Sequence, residues 1–183
     1  MTDILVRCDG LCGPKNPGGV ATYGWVAYAA GRRFASGRGT MTAGREATNN
    51  VAEYGGALAA LRELGAGDVV PGPASDLSVT IESDSQLMVR QMNGIYAVRS
   101  PRIFPLYEQL CALSKDFGKV RFVWIPREQN KDSDLESRIA YVEHWRGRGH
   151  EPPACQFISR AELDEAAMAL DAGDKAQAKL EAF

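Results

Sequence analysis

Asp9, Glu53, Asp84 and Asp134 are acidic residues that fall where regular elements of the chain begin or end. Asp9 closes a short β-rich run, ILVRCD, and Asp84 stands just past another, LSVTIE. Glu53 and Asp134 lie in the opening turns of two helical segments. In open α/β sheets, sites gather where strands end and helices begin. Side chains in the first turns of a helix also tilt back toward its N-terminus. Four acids so placed can converge on one spot. Converging carboxylates repel one another unless a cation lies between them. An all-oxygen set without His or Cys suits Mg²⁺ or Mn²⁺, and two such ions together activate a water and stabilise the leaving oxygen of a phosphodiester. Taken singly, each acid has a plainer reading. Asp9 and Asp84 suit turns or N-caps, Asp134 complements a helix dipole, and Glu53 suits a solvent-facing position.

The stretch NKDSDLES, residues 130–137, holds two candidates for the fourth acid, Asp132 and Asp134. With Leu135, Ile139 and Val142 facing the core, Asp132 sits about 50° from the stripe and Asp134 about 110° on the other side. Helix geometry alone leaves both open.

The elements that must position these acids follow in order. Strand-like runs cover residues 4–9, 20–30 and 33–42, with a tight hairpin at Gly31-Arg32. Between the first two, GLCGPKNPGG packs glycine and proline too densely for a regular element. A helix is predicted from Thr48 to Leu64, with Val51, Tyr54, Leu58 and Leu61 on one stripe and Ala52, Gly55, Gly56 and Ala59 on a small-residue face. The loop GAGDVVPGPASD leads to a strand at 77–82, then helices at Ser85–Met92 and Pro101–Phe117, a strand at 120–125 and a helix at Lys131–Trp145. This order implies a mixed sheet with helices on its faces. Past residue 146 the composition shifts. RGRGHEPPAC reads as a linker, and Ser159 with Glu162 forms a capping signal for one or two short helices. Leu163, Ala166, Ala167 and Leu170 suggest an amphipathic helix that docks on the core or on a partner.

Composition narrows the class. With 183 residues, 45% hydrophobic and 24% charged, the chain has the makings of one domain with a short appendage. A formal charge of −2 argues against gripping nucleic acid by bulk positive charge, though a local basic groove fits on such a surface. No signal peptide or membrane-length apolar run is evident. The four cysteines (Cys8, Cys12, Cys111, Cys155) lack paired metal-ligand spacing, which favours free thiols and a cytoplasmic setting. A zinc site from His144, His150 and Cys155 lacks any supporting spacing.

The segments CDG…NPGG, TNNVAEYGGALAAL, ESDSQLMVRQMNG and WIPREQNKDSDLESR resemble the four blocks of type 1 ribonuclease H, in order, across about residues 4 to 142. The variant without a basic protrusion is the closer likeness, because NGIYAVRSPRIFPLYEQL joins the middle helices directly. The resemblance implies a five-stranded mixed sheet, three antiparallel strands then two parallel, in a domain spanning 1–145, with residues 146–183 as linker and short helical tail. It implies that Asp9, Glu53, Asp84 and Asp134 hold two Mg²⁺ or Mn²⁺ ions and that the substrate is the RNA strand of an RNA–DNA hybrid. It favours Asp134 over Asp132, through its distance from Asn130 and the Ser137-Arg138 pair that follows. It places Asn16, Asn49, Asn50 and Gln86 against the RNA strand, where short amides can meet 2′-hydroxyls, and Thr48 against a DNA phosphate. Arg127 and Asn130 join the substrate contacts. Helix capping is the plainer reading of Asn49 and Asn50.

Three departures from the family pattern stand out. The loop DGLCGPKN is one residue longer than usual, PREQN replaces a glycine-and-histidine loop so that Arg127 or Glu128 assists product release, and Leu135 follows Asp134 directly. Tyr96, Arg99 and Arg102 read equally as a DNA-tracking groove or as packing and solvated loop. The implied enzyme is a monomeric endoribonuclease without membrane attachment or obligate protein partner. A catalytically weak hybrid-binding module of the same fold is the alternative, and Asn49-Asn50 argue against a nuclease for DNA alone. Because the family-like blocks end near residue 142, a chain ending at Gly147 is expected to fold by itself.

Overall fold

A computed structural model describes residues 1–181. Its strands are β1 (Thr2–Gly13), β2 (Val20–Ala29), β3 (Arg32–Ala43), β4 (Leu77–Ser83) and β5 (Lys119–Trp124). Its helices are α1 (Asn49–Ala66), α2 (Gln86–Met92), α3 (Phe104–Ser114), α4 (Lys131–Arg146) and α5 (Arg160–Glu181). The strands form one sheet in the order β3-β2-β1-β4-β5. β1, β2 and β3 pair antiparallel, whereas β4 pairs parallel to both β1 and β5. The expected mixed sheet is the one observed.

β1 runs on to Gly13, well past the expected stop at Asp9, because Gly10–Gly13 keep pairing with Val20–Tyr23 of β2. β4 pairs with β1 only from Thr2 to Arg7. Beyond Arg7, β1 therefore has a free edge on its β4 side, and Asp9 lies on that stretch. The β2–β3 turn is Ala30-Gly31, one residue earlier than expected, with both residues at positive φ (49° and 74°) as a type I′ hairpin turn requires.

One sheet face carries α1, with α2 and α3 beyond it. Ile4, Val6, Cys8, Trp25 and Ala27 meet Ala52, Tyr54, Leu58 and Leu61 there, all nearly inaccessible. Thr48 starts α1 by accepting from Val51 N at 3.1 Å, and Gly67 ends it in the left-handed region (φ 82°). Gly10 brings β1 against this helix: a Cβ there would lie 2.3 Å from Glu53 N.

α4 covers the other face, but not with the stripe expected of it. Ser133, Ser137 and Ala140 are buried near the sheet, and a Cβ on Gly24 of β2 would meet Ser137 N at 2.4 Å. The close approach selects small residues. Ion pairs add to it, Arg33 to Glu136 (2.6 Å) and Arg38 to Glu136 (2.9 Å) and Glu143 (2.8 Å). Leu135 is only half-buried, and it serves a second cluster with Ile139 and Val142 instead.

That cluster is where the tail goes. After α4 the chain reverses through Gly149 (φ 74°) and returns along the helix. α5 then runs in the same direction as α4, with Arg138 meeting Glu162 at 3.2 Å and Arg146 meeting Asp171 at 2.8 Å. Leu11, Val20, Ile139, Tyr141 and Val142 pack on Ile158, Leu163, Ala166 and Leu170. The capping signal is realised: Ser159 N donates to Glu162 Oε2 (2.7 Å) and Glu162 N to Ser159 Oγ (3.3 Å). One 22-residue helix stands where one or two short ones were expected. No described helix is long and apolar enough to cross a membrane.

Removing residues 148–183 would uncover Tyr141, Val142 and Leu11. Each large apolar side chain fully buried is worth roughly 1.5–3 kcal/mol, so the loss of Ile158, Leu163 and Leu170 comes to about 5–9 kcal/mol. Against a total of about 5–15 kcal/mol, a chain ending at Gly147 should melt far below the full chain or aggregate, contrary to the sequence expectation. Melting curves of the two chains decide it; equal midpoints would show that the tail adds nothing to the fold.

Candidate active site

The free edge of β1 is where the acids meet. Asp9 comes from β1 itself, Glu53 reaches in from the second turn of α1, and Asp84 follows the last residue of β4. One carboxylate oxygen from each lies within 4.8 Å of the others. Asp9 and Glu53 are buried and Asp84 is half-buried. Burial pushes the Asp9 carboxyl up to about 8, with Asp134 and Asp84 adding repulsion. Glu53 is raised well above the usual range, first by burial and then by Asp9 and Asp84.

Neighbours hold this cluster without neutralising it. Ser137 Oγ donates to Asp9 Oδ2 at 2.6 Å, and Asn49 Nδ2 donates to Glu53 Oε1 at 3.3 Å. Glu53 Oε2 is buried without a hydrogen-bond partner. A buried, unpaired carboxylate oxygen is expensive in a protein interior. Three acids meeting here, Glu53 among them, with no nitrogen or sulfur ligand, suit a hard divalent cation. The residues present therefore fit Mg²⁺ or Mn²⁺.

Asp134 lines the same cavity of about 400 Å³ with Asp9, Glu53 and Asp84. It is not in the tight trio. Arg127 Nη2 donates to its Oδ1 at 3.1 Å, and the Arg138 guanidinium pairs with its other oxygen. Burial raises its pKa, while Arg138 and Arg127 pull it down. Arg138 also reaches Glu162 (3.2 Å) and Glu165 (3.5 Å) of α5. Asp132 is exposed, accepts a hydrogen bond from the Tyr28 hydroxyl, and stands outside the cavity lining. Of the two candidates in NKDSDLES, Asp134 is the one beside the trio.

The expected substrate contacts divide. Asn16 and Asn49 line the cavity, tied together by Asn49 N donating to Asn16 Oδ1 at 3.1 Å. Gly18 N to Ala47 O (3.0 Å) holds the proline-rich loop in place for this contact. Arg127 also lines the cavity, whereas Asn50 and Gln86 are exposed outside its lining. Thr48 caps α1. Asn130 belongs to the interior instead, at 0% exposure. Its Nδ2 donates to Cys8 O (2.9 Å) and Asp84 Oδ1 (2.8 Å), and its Oδ1 accepts from Ser133 Oγ (2.6 Å). It ties the unpaired stretch of β1 to Asp84, and its amide is not available to a substrate.

Several cavity residues went unassigned from sequence. Ser137 and Arg138 were visible only as the pair following Asp134, without a role. Gln156 and Phe157, just past the segment read as linker, also line the cavity, and no sequence pattern marked them. Elsewhere, Tyr96 stacks with Arg90 (5.1 Å) and Arg102 pairs with Glu46 (3.1 Å). His144, His150 and Cys155 form no metal-ligand group among the described residues.

Comparison with known proteins agrees with this fold. A family model described as "Reverse transcriptase-like" matches residues 8–137. "Bifunctional protein Rv2228c" of Mycobacterium tuberculosis is 35% identical over 131 residues, covering 72% of this chain but 33% of that protein. The chain thus spans about a third of the length of the curated relatives it matches. The N-terminal RNase H domain of Rv2228c from M. tuberculosis, solved as a maltose-binding-protein fusion, superposes with a TM-score of 0.64 at 28% identity, covering 92% of this chain and 99% of that one. RNase H1 from the halophilic archaeon Halobacterium salinarum gives 0.64 at 27%, covering 75% and 96%. LC11-RNase H1, solved in complex with RNA/DNA hybrid, gives 0.62 at 30% identity, covering 73% and 92%.

The raised Asp9 carboxyl predicts a pH dependence for the metal-free protein. Folded Asp9 titrates near 8, while an unfolded aspartate titrates near 4. The folded state binds the extra proton, so this stabilisation is complete below about pH 4 and is lost as pH rises through about 8. In EDTA the melting temperature should fall by several degrees between pH 6 and 9, and millimolar Mg²⁺ should restore it and flatten the trend. A metal-free melting temperature flat across that range would show that the acids are not held close.

Proposed function

The chain belongs to the reverse transcriptase-like family, in its type 1 ribonuclease H branch, and from that premise we propose that it is an endonuclease acting on the RNA strand of RNA–DNA hybrids by a two-metal-ion mechanism, leaving 5′-phosphate and 3′-hydroxyl ends. The observation that carries the proposal is the trio Asp9, Glu53 and Asp84, with oxygens within 4.8 Å of one another and one buried oxygen unpartnered. The complex of the similar LC11-RNase H1 with RNA/DNA hybrid supports the substrate class.

Asp9, Glu53, Asp84 and Asp134 would hold the ions, Mg²⁺ or Mn²⁺, which when bound supply an activated water and neutralise charge on the leaving oxygen. The protein's own part is placement. Ser137 fixes the Asp9 carboxylate, Asn130 fixes Asp84, and Asn49 fixes Glu53. Arg127 and Arg138 hold Asp134 beside the trio and bring positive charge to the phosphate side of an acidic cavity. On the α1 side, Asn16 and Asn49 offer neutral amides, a chemistry suited to the 2′-hydroxyls that distinguish RNA from DNA. Asn50 and Gln86 stand on the exposed surface nearby, and Thr48 offers its hydroxyl at the start of α1. We take the enzyme to act as a cytoplasmic monomer on the hybrid.

A specific observation favours a second reading. Asp134 is engaged by two arginines, and a chain in which it stays so engaged would bind hybrid and cleave it weakly.

The test compares Asp134→Asn with Asp132→Asn on labelled hybrid over a Mg²⁺ and Mn²⁺ titration. Asp134→Asn should lower turnover about a hundredfold or more, the scale of losing a preorganised charged group, with little change in melting temperature. Asp132→Asn should stay near the parent rate, since its carboxylate meets only Tyr28 among the hydrogen bonds seen. Parent-like turnover in Asp134→Asn would remove it from the site, and a parent chain that binds but scarcely cuts would favour the second reading.

Replacing Asn49 and Asn50 together with Ala tests the minor-groove contact. Each lost amide contact weakens hybrid binding about fivefold, from roughly 1 kcal/mol. Cleavage at the parent rate and KM would show that these amides do not read the RNA.

A further inference from the structure

Residues 155–158 form a tight reversal, closed by Cys155 N donating to Ile158 O (2.9 Å) and Ile158 N donating to Cys155 O (3.3 Å). Its two ends are anchored. Ile158 is 1% exposed and Cys155 packs on the same second cluster. α5 starts immediately afterwards through the Ser159–Glu162 capping box. Glu162 also pairs with Arg138, which pairs with Asp134. The turn is thus connected to the catalytic acids by a continuous run of charge-assisted contacts.

The two residues at its tip belong to neither apolar cluster. Gln156 is exposed, and Phe157 is 37% exposed. Yet both line the cavity that holds Asp9, Glu53, Asp84 and Asp134. The α1 side of this cavity presents Asn16 and Asn49, while its α4 side presents Arg138 and the tip of the turn. A flat apolar ring beside a side-chain amide suits a nucleotide: the ring packs on a sugar or base face and the amide meets a hydroxyl or phosphate oxygen. Fixed to a rigid turn, the ring loses little conformational freedom when it makes that contact.

We propose that Gln156 and Phe157 are substrate-positioning residues of this site, contacting the RNA strand from the α4 side so that the strand is held between the tail and the Asn16–Asn49 pair. The proposal rests on the hybrid-cleaving function argued above. It makes the returning tail a part of the substrate surface as well as of the core.

The experiment uses the full chain and labelled RNA–DNA hybrid with Mg²⁺, comparing the parent with Phe157→Ala, the double variant Gln156→Ala/Phe157→Ala, and Phe157→Trp. The double variant should raise KM about tenfold, in the range of losing one stacked contact, with kcat within about twofold and an unchanged melting temperature. Phe157→Trp, which keeps an aromatic face, should return KM close to the parent value. A parent that cleaves hybrid while the double variant keeps the parental KM overturns the tail contact and leaves the function standing. A raised KM accompanied by a lower melting temperature and no rescue by Trp would make the role one of packing, which also overturns it. A parent that cleaves no hybrid overturns the function and this proposal together.

Discussion

Three carboxylates held within 4.8 Å of one another are the constraint around which the fold is arranged. Two unit charges at that distance repel by about 3 kcal/mol even at an effective dielectric near 20. Several such pairs would consume much of a domain's total stability of about 5–15 kcal/mol. The cluster is therefore tolerable only with shared protons or a cation. The rise of Asp9 to about 8 expresses the first alternative. The buried Glu53 oxygen without a hydrogen-bond partner suits the second. A site that is costly when bare and relieved when loaded couples ion binding to the stability of the whole domain.

Holding such a cluster requires backbone from both faces of the sheet to come unusually close. Gly10 admits α1 on one side and Gly24 admits α4 on the other, each where a Cβ would fall under 2.5 Å from a helix backbone atom. The opening between them exists because β4 stops pairing with β1 at Arg7. Asn130 repairs what that opening breaks. It takes up the Cys8 carbonyl and fixes Asp84 with the same amide, so the site's geometry and the end of a strand pair are secured by one side chain.

This arrangement explains which parts were readable in the sequence. The strands, the hairpin and α1 carry their own periodicity, and Asp9, Glu53 and Asp84 sit in distinctive blocks, so the sheet and trio were legible. α4 was legible as a helix but not as to face. Its sheet side is Ser133, Ser137 and Ala140, whereas its apolar stripe is Leu135, Ile139 and Val142. The tail is concealed for the same reason, since all three of those residues serve the cluster around α5. Asn130 matched a position expected near substrate, but only the three-dimensional contacts reveal that both its amide hydrogens point inward. Gln156 and Phe157 lie in a segment with no periodic pattern, and their place depends on a chain reversal at Gly149 that residue spacing does not encode.

Arg138 links the acidic cavity to the tail. Its guanidinium is largely buried and faces Asp134 on one side and Glu162 and Glu165 on the other. A buried arginine facing one acid would pull that carboxylate toward itself, away from any cation. Sharing it among three acids divides the attraction and leaves a positive charge satisfied whichever way Asp134 turns. The two outer acids come from α5, and Glu162 is held in place by Ser159 at the helix start. The tail thus supplies counter-charge that lets an arginine sit beside the acidic cavity without monopolising its fourth carboxylate. That gives α5 an electrostatic reason to lie where it does, alongside the apolar one.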